Sequence, residues 1–149
     1  MPEMLFYHLE RDPLERVLPS LVEKSLERGW RCVVQAGSRE RVDAINDMLW
    51  TWRDESFIPH GAHGDGLPER QPVFLTDDED NPNQARVRFL VDGARISAPG
   101  DYDRLVYMFD GADPSAVATA REMWRWGKDN DLTVTYWQQE TTGRWAKKA

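Results

Sequence analysis

The sequence predicts a single three-layer α/β domain over residues 1–149, a mostly parallel twisted sheet with helices on both faces. Three observations carry that prediction. Short apolar runs of strand length recur along the chain. The first two alternate with amphipathic helical stretches, the pattern of parallel strands joined through helices. A chain of 149 residues is one domain's length, enough to bury roughly two-thirds of the surface its unfolded form exposes.

In order, residues 4–8 (MLFYH) read as a buried strand. An Arg-Asp-Pro turn leads into a helix over about 14–28 with the stripe Leu14, Leu18, Leu21, Val22 and Leu26. Pro19 is tolerated if the regular helix begins close to Leu18, and Gly29 supplies a C-terminal stop. Residues 32–36 (CVVQA) form a second strand, and Gly37-Ser38 a turn and N-cap for a helix running to about Trp52. This opening implies that the first two strands are neighbours. Further strands follow at 72–76, 86–91 and 105–109, then a helix at about 114–130 and a strand at 133–138. Segments 53–71 and 77–85, rich in Pro, Gly, Asn and Asp, are surface loops.

With 40% hydrophobic and 30% charged residues the composition is that of an ordinary globular protein. Residues 1–4 hold neither a basic region nor an apolar run, and no apolar stretch approaches the roughly 18 residues of a membrane span. A cytoplasmic location is expected. Cys32, as a single cysteine, excludes an internal disulfide. A net charge of -7 argues against direct nucleic-acid binding. The charge is unevenly spread: residues 121–149 hold six of the 19 Lys+Arg and four of the 26 Asp+Glu, giving +2, which leaves -9 for residues 1–120. An acidic partner should therefore meet the C-terminal region.

Enzyme signatures fail in turn. Between the first strand and first helix lies Leu9-Glu10-Arg11-Asp12-Pro13, with no glycine-rich phosphate loop. The Gly37-Ser38 turn could hold an anion at a helix N-terminus, with a plain cap as the simpler reading. His60 and His63 have a separation seen in some metal sites, but no second pair completes a tetrahedral set, and solvent-facing loop histidines are the plain alternative. The run Asp77-Asp78-Glu79-Asp80 lacks the spacing of a calcium loop and reads as a solvated turn. Cys32, in an apolar strand, reads as a small core residue. No catalytic residue, cofactor or metal is expected.

Seven tryptophans in 149 residues are the unusual feature. The second helix has the stripe Val42, Ile45, Met48, Leu49 and Trp52, from whose centre Trp50 points roughly 140° away. Trp50 is then exposed beside the apolar loop stretch 56–60 (SFIPH), the makings of a partner hot spot, unless it folds back under the 53–71 loop. The third helix has the inward stripe Ala116, Val117, Ala120, Met123 and Trp124, with Arg121, Arg125 and Lys128 within roughly 60° of one another beside it. A basic strip with an aromatic edge suits an acidic peptide or a free carboxylate; the alternative is a solvated helix face.

In order and spacing, several stretches resemble the chi subunit of bacterial DNA polymerase III over nearly the whole chain: Phe6-Tyr7, Leu49-Trp50, residues 55–60 (ESFIPH), Asn81-Pro82-Asn83, Ala120-Arg121-Glu122 and Trp124-Arg125. The resemblance implies a non-enzymatic subunit in DNA replication, linking the clamp loader to single-stranded DNA-binding protein. By it, Trp50, Phe57, Pro59 and His60 match positions that receive the psi subunit, though an equivalent clamp-loader protein or a helicase could occupy that surface. Arg121, Trp124 and Arg125 match positions that grip the acidic, Pro-Phe-ending tail of single-stranded DNA-binding protein. A lysine that the family can carry one turn before Arg121 is replaced by Val117, and Lys128 is the candidate to compensate. The competing class is a nucleotide- or phosphoester-processing enzyme on the same scaffold.

Overall fold

A computed structural model describes residues 2–10, 12–51, 61–62, 68–140, 142 and 144–149. Its strands are β1 (Glu3–Leu9), β2 (Cys32–Gln35), β3 (Gly61–Ala62), β4 (Val73–Thr76), β5 (Val87–Leu90), β6 (Arg104–Asp110), β7 (Thr133–Gln139) and β8 (Trp145–Lys147). The helices are α1 (Leu14–Glu27), α2 (Arg39–Thr51) and α3 (Pro114–Asp129), with a short 3₁₀ turn at Pro68–Arg70. All eight strands form one sheet in the order β3-β4-β2-β5-β6-β1-β7-β8. Every pairing is parallel except the antiparallel edge pair β7–β8.

The predicted α/β class and its main elements hold, and three points are corrected. β1 and β2 are not neighbours: β5 and β6 stand between them, so the connection through α1 passes over two strands. α1 is regular from Leu14, not from Leu18, so Pro19 lies inside it. Proline has no N–H to give the Glu15 carbonyl; the helix carries that loss with Pro19 buried beside Val17, Leu18 and Val22. The short strands β3 and β8 were not foreseen. Gly29, by contrast, ends α1 as expected, at a φ of 80° that a side chain would resist.

α1 and α2 share one face of the sheet, where Leu18, Val22, Val42, Ile45 and Leu49 pack on Cys32, Val34, Leu75, Phe89 and Val106. α3 lies on the other face, over Met4, Phe6, Leu105, Tyr107 and Phe109. Beyond α3, loop residues Ala85, Ala94, Ile96 and Tyr102 cover Val33, Phe74 and Leu90. Arg88 is fully buried on that covered half. Its Nε and Nη2 donate to Gln35 Oε1 (2.9 and 2.7 Å), Nη1 to the Asp80 carbonyl (2.8 Å) and Tyr102 hydroxyl (2.9 Å), and Nη2 to the Asp78 carbonyl (2.5 Å). The run at 77–80 is thus a tethered turn rather than a merely solvated one, although Asp77, Asp78 and Glu79 are exposed.

Candidate functional site

α3 starts cleanly because Asp113 caps it, accepting from the Ser115 amide at 2.9 Å, and Pro114 occupies its first turn. Ala120, Met123 and Gly127 are buried, while Ala116, Val117 and Trp124 are half-buried against the same core. This is the predicted inward stripe. Val117 packs as an apolar residue where a lysine could have stood.

The adjoining flank holds the predicted basic strip. Arg121, Arg125 and Lys128 are all exposed, and none has an ion pair with another described residue. Trp124 fixes the strip's aromatic edge. Its ring lies 5.4 Å from Phe6 of β1 and 6.1 Å from Tyr136 of β7, while Lys128 Nζ sits 5.3 Å from its centroid. A cation near an indole face is held by the ring quadrupole. Lys128 therefore adds its charge at the aromatic edge. The neighbouring Glu122 is occupied with Arg95 at 2.7 Å, so it does not neutralise the strip.

Tyr136 was missed by the sequence reading. Alternation along β7 puts Val134 and Tyr136 on one face, a visible signal, but nothing local says that α3 lies over that face. The Tyr136 hydroxyl is hydrogen-bonded to His8 Nδ1, and His8 Nε2 lies 3.2 Å from Glu10. Burial raises the Tyr136 phenol above its ordinary pKa, Glu10 adds to the rise and the nearby Arg121 opposes it. The hydroxyl is thus a neutral neighbour to the strip. The site offers unpaired cations, a half-buried indole and a phenol, which suit an anionic group attached to an apolar body.

The other candidates stand as follows. Trp50 lies in α2, whose Val42, Ile45 and Leu49 are buried and Met48 half-buried as predicted. The Trp50 side chain, Trp52, Phe57, Pro59, His60 and His63 lie outside the described residues. Among the described residues, no group of three or more His, Cys, Asp or Glu could hold a metal ion, and no helix is long and apolar enough to cross a membrane. Ser38 is a cap, its Oγ accepting from the Arg41 amide at 3.3 Å. The adjoining Gly37 is needed because a Cβ there would meet the Asp92 carbonyl oxygen at 2.3 Å. Cys32 is fully buried and its thiol is pushed up to about 12 by burial, so it is no ready nucleophile.

Asn83, in the Asn81-Pro82-Asn83 stretch, is buried, its amide donating to the carbonyls of Cys32 (3.0 Å) and Gln71 (2.8 Å). Asn81 Oδ1 accepts from the Ala85 amide at 2.8 Å. That stretch pins a loop to the sheet. At the carboxyl ends of β1 and β6, where open parallel sheets commonly bind ligands, the large cleft is lined by Glu10, Asp12, Glu15, Asp92, Asp110 and Asp113. Arg41, the cation lining it among the described residues, is engaged by Asp92 at 2.9 Å. Such a cleft repels phosphate.

Fold and site together describe an α/β protein that carries an exposed basic strip with an aromatic edge on its third helix. Residues 1–135 match the family described as DNA polymerase III chi subunit, HolC, and the chain belongs to that family. A protein of Rickettsia prowazekii (strain Madrid E), described as "Probable DNA polymerase III subunit chi", is 29% identical over 97 residues, covering 65% of this chain. The match spans 59% of that relative's own length.

Proposed function

We propose that this chain is a non-catalytic tether in replication. The α3 strip takes the acidic C-terminal tail of single-stranded DNA-binding protein. The surface around Trp50, Phe57, Pro59 and His60 takes the psi subunit or an equivalent clamp-loader protein. The observation that carries the tail reading is the set of unpaired cations Arg121, Arg125 and Lys128 beside the half-buried Trp124. A tail carboxylate pairs with Arg121 or Arg125 in a forked geometry, while an apolar tail residue lies along the Trp124 ring. Single contacts of this size bind modestly. Several tails displayed on one coated DNA strand raise the effective concentration and keep the polymerase near its template.

A fluorescence titration with an acidic peptide ending in Pro-Phe tests this. Arg121→Glu should weaken binding by at least about tenfold, roughly 1.4 kcal/mol, with an unchanged melting temperature. Added salt should weaken the parent complex as well. Equal affinities for parent and variant would remove the tail from α3.

A further inference from the structure

On the sheet face opposite α3, a cavity of about 210 Å³ opens between the last turns of α1 and strands β5 and β6. Its floor is apolar, formed by Leu21, Val87, Phe89 and Val106, and its rim carries Lys24, Arg28 and Arg104 beside Tyr7. The charges are crowded. Arg28 and Arg104 each place their guanidinium 5.3 Å from the centroid of the same Trp30 ring. Arg104 Nη2 donates to Glu3 at 3.0 Å, but its Nε is buried without a partner. Among the described residues neither Lys24 nor Arg28 has a carboxylate partner. Three positive charges therefore face one negative charge at this cavity.

The carbonyls at the end of α1 favour cations nearby, which accounts for Lys24 and Arg28. They do not account for Arg104, which arrives from β6 with an unpaired donor. Lys24 and Arg28, four apart on the helix, also repel one another. Crowded cations with a free donor make a favourable seat for an anionic group.

We propose that this cavity is a second anion-binding site, which takes a carboxylate carried by an apolar residue of an acidic peptide. Val87, Phe89 and Val106 are themselves buried, but the half-buried Leu21 gives an apolar group a contact from which a strongly hydrated phosphodiester gains nothing, which favours this ligand over a nucleic-acid phosphate. The chain's net charge of -7 further disfavours a long polyanion. The size fits: 210 Å³ is the share of about seven waters, room for one side chain. Burial holds the Tyr7 phenol above its ordinary pKa, with Arg104 in partial opposition, so the hydroxyl at the rim stays a donor. The site stands apart from the α3 strip and does not depend on the tail reading.

The test is an NMR titration of the ¹⁵N-labelled full chain, read at the Trp30 indole N–H and the Arg104 Nε–H. N-acetylphenylalanine should shift both resonances saturably, and N-acetylphenylalaninamide, which lacks the carboxylate, should not. Arg28→Glu should weaken the response at least about tenfold, the milder Lys24→Gln about threefold, and Arg121→Glu should leave it unchanged. If Arg28→Glu fails to fold, Lys24→Gln still decides. Equal responses to acid and amide would overturn the proposal, as would unaltered affinity in the α1 variants. So would a Trp30 shift produced by oligothymidylate or inorganic phosphate but not by the carboxylate.

Discussion

Arg88 and Arg121 are the same residue type in opposite circumstances. Arg88 has no exposed surface, and each of its terminal nitrogens is spoken for by a neutral acceptor from β2 or a covering loop. Arg121 stands exposed on α3 without an ion pair among the described residues. A buried charge survives only if its donors are satisfied, so Arg88 is tied to its surroundings and free for no partner. An exposed, unpaired charge adds little to folding and keeps its donors for a ligand. Function in a cationic chain segment thus follows from burial and satisfaction, not from charge alone. The family-like stretches divide in the same way: Asn81 and Asn83 hold a loop, while Arg121 and Arg125 face outward.

The largest expected effect belongs to the buried side. Arg88→Met leaves Gln35, Tyr102 and the carbonyls of Asp78 and Asp80 without their donor. Stability should fall by about 4 kcal/mol, or roughly 8 to 16 °C in melting temperature, with tail affinity intact in the folded fraction. A variant that melts normally but loses the tail would invert the comparison.

Alkaline pH probes a buried group on the neighbouring strand, on the sheet face under α1 and α2. Burial pushes the Cys32 thiol from 9.0 to about 12. Because the folded pKa lies above the unfolded one, the unfolded chain releases its proton first. The stabilisation is whole below pH 9.0 and is lost as pH climbs toward about 12. The loss should reach up to about 4 kcal/mol. The raised phenols of Tyr7 and Tyr107 act in the same sense at higher pH. Melting curves of Cys32→Val should show a shallower alkaline decline than the parent, and an identical decline would clear Cys32 of the effect.

Two smaller effects concern the proposed partner surfaces. Trp50→Ala should lower affinity for the clamp-loader partner by about 2 kcal/mol while sparing both the tail and the melting temperature. A melt several degrees lower, with proportionate loss of both partners, would merge the two surfaces into one. Lys128→Ala, which removes the cation over Trp124, should weaken the tail by about 0.5 to 1 kcal/mol with little change in stability. Full parent affinity in this variant would confine the strip to the two arginines.

Much of this was present in the chain itself. Apolar runs such as 32–36 and 105–109 read as strands, and the spacing of Ala120, Met123 and Trp124 against Arg121, Arg125 and Lys128 assigned both faces of α3. Such periodicities are local, because the helical repeat and strand alternation decide where each side chain points within its own element. What the tertiary structure decided is which elements meet. The insertion of β5 and β6 between β1 and β2, the meeting of Phe6, Trp124 and Tyr136, and the burial of Arg88 join residues far apart in sequence. No window of the sequence encodes those contacts, since they depend on how whole faces pack and which loops close over them.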